Sequence, residues 1–297
     1  MLRTHSFECG RFYEIMKARR IISFLLVLIG IGCLLYPLVS NYINGLQHTY
    51  TFNIYEKVVA EQEDYSKEFA ACYEYNRQLR RQSDRFVETE ERMDEYQSLL
   101  NISQGMMGYI EIPKINVHLP IFHGSSKAEL SQGVGHLFGS SLPVGGIGTH
   151  SVLAGHTGLA NQILFNDLVE LEEGDCFYIR VYDKTLTYEV DQIEVVEPTD
   201  SSLLGIDKSC DYVTLLTCYP MATGSHRLLV RGHNIGESSE KPEEQIITTQ
   251  RVVTTTDKIN WAFIAAGTIL VLYFLYSTFV LGGLIKAKRK RDTNEKE

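Results

Sequence analysis

The stretch that decides the fold is TLLTCYPMATGSHRLLVRG, residues 214–232, which predicts two strands joined by a loop. Alternate side chains of a strand point to the same face, so Thr214, Leu216 and Cys218 share one face and Cys218 lies at the strand end. Four roles are open to Cys218: core packing, one half of a disulfide, a metal ligand, or a nucleophile. The sequence on either side of this stretch has to decide among them.

Short β-type runs bounded by Gly and Pro extend the pattern upstream of residue 214. Seven or eight short strands of this kind predict a closed barrel or a sandwich, which makes the chain mainly β. The runs are MGYIEI, VHLPIFH, HSVLAG, CFYIRVY, LTYEVDQIEVV, DYVTLLTC and RLLVRGH. The Gly-rich run GVGHLFGSSLPVGG, residues 133–146, lacks the spacing of a phosphate-binding loop, so we interpret it as turns.

A helical segment precedes the β-type region. Residues 54–82 contain no Pro or Gly and carry apolar side chains at three- and four-residue steps, which predicts a helical arm. A second, shorter helix is predicted over residues 89–100, with SDRFV, residues 83–87, as the break between them.

Two uncharged apolar runs near the ends of the chain predict membrane spans. The first run, Ile21–Val39, follows a basic cluster and as a helix is roughly 28 Å long, close to the hydrocarbon thickness of a bilayer. A cleaved signal peptide is the competing interpretation of this run. The second run, Trp261–Ile285, precedes a basic tail. The positive-inside rule then predicts cytoplasmic termini and an extracytoplasmic segment over about residues 41–258.

Composition argues against several kinds of partner. The chain has 297 residues, 44% of them hydrophobic, and a net charge of -9, which argues against a nucleic-acid surface. The six cysteines show no C-x-x-C spacing, so neither a disulfide framework nor a zinc site is indicated, although a bridge from Cys210 to Cys218 stays open. We expect no metal and no cofactor.

Several residues are candidates to assist a cysteine nucleophile, which needs a proton-transfer partner and an oxyanion donor. Two arginines, Arg227 and Arg231, lie four positions apart and share a strand face. Spacing alone does not choose among the arginines or among the four candidate histidines, which are His150, His156, His226 and His233.

Three segments of the sequence resemble the sortase family. TLLTC at 214–218 fits the sortase signature T-L-x-T-C, LAGHTGL at 153–159 fits the segment with the sortase histidine, and SHRLLVRG at 225–232 fits the segment with the sortase arginine. The wider similarity covers about residues 70–235 and is to class C sortases, the pilin-polymerising transpeptidases of Gram-positive bacteria. The resemblance implies an eight-stranded sortase β-barrel with an N-terminal helical extension.

The resemblance also assigns roles to individual residues. It implies that Cys218 is the nucleophile, His156 the general acid and base, and Arg227 the oxyanion and substrate-positioning group. It further places Thr217 and Leu216 in the substrate site. His150, His226 and Arg231 are then left with structural roles.

Class C sortases often carry an Asp-Pro-aromatic lid, with the Asp near the arginine and the ring over the cysteine. The matching residues here are Asp84 and Phe86, with Arg85 at the position where the family usually has Pro. Without the restraint on φ that proline supplies, we expect a lid that is more mobile or differently shaped. An ordinary polar link between two helices is the alternative interpretation of this segment.

The activity implied is transpeptidation of an LPxTG-like sorting signal, cleaved between Thr and Gly, with transfer to a lysine amine of another pilin subunit at the membrane. One alternative is a housekeeping sortase that anchors surface proteins to cell-wall peptide amines. Another is a sortase-like binding module without activity. A papain-like peptidase is disfavoured because its cysteine precedes its histidine in the chain.

The predicted organisation has seven parts, each with a stated range. They are a cytoplasmic tail (1–20), a transmembrane helix (21–40), a helical extension with the lid-like segment (41–105), the barrel catalytic domain (106–236), a tether (237–258), a second transmembrane helix (259–285) and a basic cytoplasmic tail (286–297).

Overall fold

The structure, a computed structural model, describes residues 4–102, 105–159, 164–221 and 223–238, together with Gly267 and Tyr273. The chain divides into two compact units, Pro37–Glu243 and Met1–Tyr36 with Glu244–Glu297. Apart from Gly267 and Tyr273, the second predicted span at 259–285 lies outside the described residues, as does most of the tether at 237–258.

Helix α1, Thr4–Ala60, contains the first predicted span at 21–40. Among the helices that the structure describes, none meets the requirements of length and apolar content for crossing a bilayer. Both membrane spans stay predictions.

The helical arm predicted over residues 54–82 is helical in the structure, but it is two helices and not one. Helix α1 ends at Ala60, and α2 runs from Ser66 to Leu79, so the arm predicted over 54–82 is interrupted at 61–65. Asp64 explains the interruption, because its carboxylate accepts a hydrogen bond from the Ser66 backbone N–H at 2.9 Å. Asp and Ser make such local bonds at helix starts in preference to helix interiors.

Helix α3, Glu90–Ser98, confirms the short helix predicted over 89–100. Thr89 caps it, because its hydroxyl accepts the Arg92 N–H at 3.4 Å. The segment between α2 and α3 is irregular, as predicted for residues 83–87.

Eight strands close into a barrel, as predicted, in the order β1-β2-β3-β4-β7-β8-β6-β5. The β2–β3 and β4–β7 pairs are parallel and the other pairs are antiparallel. The strands are β1 Met106–Ile112, β2 Val117–His123, β3 Val134–His136, β4 Thr149–Ala154, β5 Cys176–Val181, β6 Lys184–Val196, β7 Asp211–Tyr219 and β8 His226–Ser238.

Strand β3 corrects the interpretation of residues 133–146 as turns only. Three residues are too few for alternation to show, and the central residue is Gly135. A Cβ at Gly135 would lie 2.4 Å from the Gly124 carbonyl oxygen, so only glycine lets the two segments approach this closely. The remaining short helices are α4, Lys127–Leu130, and 3₁₀ turns at Pro113–Ile115, Leu168–Glu170 and Ser202–Leu204.

The helical arm is bound to the barrel by side chains that bond to backbone. The Asn76 amide of α2 accepts from the Leu142 N–H at 2.7 Å and donates to the Leu142 carbonyl at 3.1 Å. The buried Tyr96 hydroxyl of α3 accepts from the Gly124 N–H at 2.9 Å. These contacts satisfy buried polar groups, and they hold α2 and α3 against the barrel on either side of the segment that links them.

Candidate active site

Cys218 lies one residue before the end of β7, directly across from Arg227 on β8. Its side chain is half-buried and its thiol is free. Alternation along β7 places Leu216 and Cys218 on one face, while Val213, Leu215 and Thr217 point to the buried side. The predicted sharing of a face is confirmed.

His156 follows β4, the other neighbour of β7. The parallel register pairs Ala154 with Leu216, and the Gly155 N–H continues the ladder by donating to the Leu216 carbonyl at 2.9 Å. Extension of this register by two residues brings His156 level with Cys218. Three consecutive strands therefore bring the histidine, cysteine and arginine to the same end of the barrel.

The backbone around His156 is held on two sides. The Thr217 hydroxyl, which is buried, donates to the Gly155 carbonyl at 2.7 Å. On the other side, the Phe165 N–H donates to the His156 carbonyl at 3.0 Å, and a Cβ at Gly155 would lie 2.5 Å from the Phe165 ring. Thr217, predicted as a substrate-site residue, therefore acts on the site through the backbone that carries His156.

Arg227 is fixed by its own hairpin. Its Nη1 donates to the carbonyls of Gly224 and His226, each at 2.9 Å. Gly224 has φ +58 and packs beside Cys218, since a Cβ there would lie 3.5 Å from the Cys218 Cβ. These bonds hold the guanidinium at the end of the hairpin, on the residue that pairs with Cys218 across the strands.

Three other candidates from the sequence have structural partners. Arg231 makes two bonds to the Asp191 carboxylate at 2.9 and 3.0 Å and stacks over the Tyr212 ring. His150 donates from Nδ1 to the Gly205 carbonyl at 2.7 Å, and burial lowers its pKa to about 4, so it is neutral. His226 bonds the Ser225 hydroxyl at 2.9 Å.

A small apolar cluster, which we call the groove cluster, includes Leu216 of the face that carries Cys218. It consists of buried Val152, Leu204 and Leu229 with Leu137, Val196, Leu203 and Leu216 packed against them. Leu216 and Leu229 form the second cross-strand pair from Cys218 and Arg227, which is the next pair on the same face, about 7 Å away at 3.3 Å per residue. Leu216, the other predicted substrate residue, therefore lies two residues from Cys218 on the same strand face.

The lid-like segment forms a tight turn. The Val87 N–H donates to the Asp84 carbonyl at 2.9 Å, so Arg85 and Phe86 occupy the two central turn positions. Arg92 of α3 holds this turn from outside, because its Nη1 donates to the carbonyls of Asp84 and Val87 at 3.1 and 2.9 Å. Proline favours the first central position, so Arg92 supplies here the restraint that a proline would give.

The two predicted lid residues have partners within the turn and on α3. The Asp84 carboxylate lies 3.6 Å from Arg92 Nη2, and the exposed Phe86 ring lies 4.5 Å from the Arg85 guanidinium carbon. The turn rests on Gly139, where a Cβ would lie 2.5 Å from the Arg85 carbonyl oxygen and 2.7 Å from the Phe86 ring. The lid therefore docks on the loop between β3 and β4.

Sequence reasoning missed Arg92, Gly139 and the contacts of Arg85. The signal available for Arg85 was its place in a turn at which the resemblance expects proline. Arg92 lies on the helix that follows the turn, and Gly139 lies in a glycine-rich run. Neither position has a pattern that points to the lid.

Among the described residues, no group of three or more His, Cys, Asp or Glu side chains is placed to hold a metal ion. Cys210 and Cys218 are both free. They lie at opposite ends of β7, about 26 Å apart at 3.3 Å per residue, so a bridge between them does not form. A cavity of about 710 Å³ lined by Cys210, Tyr212 and His233 opens at the far end from Cys218.

The chain matches the sortase domain family over residues 110–235. Among curated proteins it is 34% identical over 115 residues to sortase D of Bacillus subtilis, covering 39% of this chain and 55% of that protein. It is 29% identical over 136 residues to sortase A of Bacillus anthracis, covering 46% and 63%. The chain therefore spans 55 to 63% of the length of these two curated relatives.

Solved structures are similar over nearly their whole length. Sortase C1 from Streptococcus agalactiae is 45% identical with a TM-score of 0.58, covering 61% of this chain and 96% of that one. Clostridium perfringens sortase C, solved with the C-terminal cell wall sorting motif, is 43% identical with a TM-score of 0.56, covering 63% and 99%. The chain belongs to the sortase family of cysteine transpeptidases, and within it to class C.

Proposed function

We propose that the chain is a membrane-held transpeptidase that cleaves LPxTG-like sorting signals between Thr and Gly. It then joins the new acyl group to a lysine amine of another pilin subunit. The observation that carries the proposal is the cross-strand pair of Cys218 and Arg227, with the segment bearing His156 bonded through Gly155 to Thr217. The similarity to class C sortases, one of them solved with a sorting motif, supports the choice of substrate.

In the first step the Cys218 thiolate attacks the carbonyl carbon of the Thr–Gly bond. The Arg227 guanidinium and backbone N–H groups stabilise the oxyanion of the tetrahedral intermediate. His156 donates a proton to the glycine nitrogen as the C–N bond breaks. The products are a thioester on Cys218 and a released fragment that begins with glycine.

In the second step a lysine amine attacks the thioester carbonyl. His156, deprotonated by the first step, accepts the proton that the amine loses, and the Cys218 thiolate leaves. The new bond is an isopeptide between the threonine carbonyl and the lysine nitrogen. Because attack by water would give hydrolysis instead, the proposal requires that amines reach the thioester faster than water does.

Membrane attachment suits this reaction. Sorting signals are followed by apolar tails that keep their substrates at the membrane, and the two predicted spans would hold the enzyme at the same surface. Enzyme and substrate would then meet in two dimensions, which raises their effective concentration.

The test is a transfer assay with the full-length chain. An LPQTG peptide is incubated with a lysine-containing acceptor peptide, and the products are analysed by mass spectrometry. The proposal expects an isopeptide-linked product whose yield rises with acceptor concentration, and no product with Cys218→Ala. Release of a glycine-starting fragment with hydrolysis only, at all acceptor concentrations, would contradict the transferase assignment.

A further inference from the structure

The guanidinium of Arg85 lies beside the groove cluster. Its Nη2 donates to the Leu204 carbonyl at 2.6 Å, and the Leu204 side chain packs with Val152 and Leu229 in the groove cluster. Leu204 belongs to the connection between β6 and β7, so Arg85 joins the lid to the loop that borders the groove. This bond, together with the packing of the turn on Gly139, holds the lid beside the groove cluster.

The second terminal nitrogen of Arg85 is a donor in need of an acceptor. Its Nη1 is buried and has no hydrogen-bond partner in the part of the chain that the structure describes. Arg85 as a whole is half-buried, and an unfilled donor on a charged group costs free energy, typically more than on a neutral one. Burial also lowers the pKa of Arg85, which reflects the same cost of desolvation.

The neighbouring charges do not neutralise Arg85. The adjacent Asp84 carboxylate is engaged with Arg92, and Asp191 is engaged with Arg231. Burial and then the charges of Arg231 and Arg85 lower the pKa of His150, against the opposing effects of the Gly205 carbonyl and Asp191, so the Arg85 charge reaches the residues beside Leu204. In a chain of net charge -9, Arg85 therefore places an unneutralised positive charge beside the groove cluster.

We infer that Arg85 is a specificity-determining residue that selects sorting signals carrying a carboxylate on the N-terminal side of the Thr–Gly bond. A carboxylate fits the unfilled fork of a guanidinium in two parallel bonds, and it would replace the single Leu204 carbonyl bond with a stronger, charge-assisted one. The inference rests on the proposed function, because it concerns the same groove and the same substrate class.

Position along the groove is consistent with this assignment. Leu229 pairs with Leu216, two residues or about 7 Å along β7 from Cys218. Val152 pairs with Thr214, four residues or about 13 Å from Cys218. An extended peptide with its threonine carbonyl at Cys218 covers this distance with the two to four residues before threonine. With its N-terminal residues over the groove cluster, such a peptide passes Leu204 and its Arg85 partner before Cys218, and residues after the scissile bond lie beyond Cys218.

The test compares isosteric peptides on the full-length chain. The kcat/KM for release of the glycine-starting fragment is measured for LPETG against LPQTG, for ELPQTG against QLPQTG, and for a pair with Glu or Gln after the glycine. We expect about tenfold preference for Glu in at least one of the first two pairs, and none in the third. The preference should shrink as salt is raised from 50 to 500 mM, values chosen to span about 14 to 4 Å in Debye length.

Three variants assign the preference to Arg85. Arg85→Gln should abolish it, Arg85→Lys should weaken it because an ammonium lacks the planar fork, and Arg81→Gln should leave it unchanged because Arg81 is exposed on the same arm. If Arg85→Gln does not fold, Arg85→Lys and the salt dependence of the wild type decide.

The outcomes separate the two proposals. Equal use of Glu and Gln peptides by the wild type, or a preference that survives Arg85→Gln, overturns the role of Arg85 and leaves the transpeptidase intact. Failure of every peptide to release its glycine-starting fragment counts against the proposed function itself.

Discussion

Cys218 and Arg227 face each other across the hairpin of β7 and β8, and the arginine is bonded to the carbonyls of Gly224 and His226 in the same hairpin. One supersecondary unit thus carries both the proposed nucleophile and the proposed oxyanion donor. Because β-hairpin register is set by the turn, the distance between these two groups does not depend on how the lid or the helical arm is placed.

Removal of the Arg227 guanidinium should slow the chemical step of peptide cleavage. We expect Arg227→Ala to lower kcat for peptide cleavage by about 10² to 10³, since it removes an oxyanion donor. Steady-state kinetics with an LPQTG peptide provide the measurement. Arg77→Ala, on the exposed side of α2, is the matched control and should retain wild-type kcat. An Arg227→Ala enzyme with unchanged kcat would remove Arg227 from the mechanism.

The hydroxyl of Thr217 should matter for both stability and catalysis. In Thr217→Val the buried Gly155 carbonyl loses its donor, which costs about 1 to 3 kcal/mol of unfolding free energy. The segment bearing His156 is then less well fixed, so kcat should fall as well. Thr217→Ser keeps the hydroxyl and should recover most of both losses. Chemical denaturation and kinetics of the two variants check this, and equal behaviour of Val and Ser would contradict it.

Displacement of the lid should expose the nucleophile. A Cβ in Gly139→Ala would collide with the Arg85 carbonyl oxygen, so we expect the lid to lift and thiol-reactive probes to modify Cys218 at least about fivefold faster, as for a destabilisation near 1 kcal/mol. Peptide mapping by mass spectrometry follows Cys218 specifically.

Gly174→Ala is the control for that experiment. Gly174 also has positive φ, at +94 against +83 for Gly139, but a Cβ there would meet nothing within 4 Å. Both variants therefore carry similar backbone strain, and only Gly139→Ala disturbs the lid. Equal labelling rates in the two variants would show that the lid does not shield Cys218.

His136 should make stability fall in acid. Burial lowers its pKa from 6.5 to about 4, and it is fully enclosed with Tyr96 bonded to Nδ1. The unfolded chain therefore binds the proton first as pH falls, so this contribution is complete above about pH 6.5 and is lost towards pH 4, with about 2 to 3 kcal/mol gone at pH 4.5.

Unfolding free energies at pH 7.5 and 4.5 for the wild type and His136→Gln isolate that contribution. The variant should be less stable at pH 7.5 and should lose less stability on acidification than the wild type by about that amount. A parallel loss in both proteins would show that His136 titrates normally in the folded state.

The sequence predicted the barrel because most strands alternate or are bounded by Gly and Pro. It missed β3, whose three residues around Gly135 pair only because β2 and β4 are brought beside them. It also missed the interruption at 61–65, where a local bond from Ser66 to Asp64 outweighs helix propensity. In both cases a tertiary or side-chain contact determines the secondary structure against the local sequence pattern.

The residues of the candidate site were named from the sequence, and their roles stay predictions, whereas most of their contacts could not be predicted. The resemblance pointed to Cys218, Arg227 and His156, and the strand register places them at one end of the barrel. The contacts of the lid could not be predicted from the sequence. Arg92 and Leu204 approach Asp84 and Arg85 only after α3 and the loop before β7 have packed. Contacts between segments far apart in sequence leave no period or spacing to detect.

Formation of a thioester on Cys218 is the most direct test of the account. Intact mass is measured on the full-length chain after incubation with an LPQTG peptide, for the wild type, Cys218→Ala and Cys210→Ala. Cys210 is also free and half-buried at the other end of β7, so it is the matched cysteine. The account predicts an adduct equal to the peptide without its glycine-starting fragment on the wild type and Cys210→Ala, and none on Cys218→Ala. An adduct that persists in folded Cys218→Ala, or its absence from the folded wild type with several sorting peptides, would contradict the account.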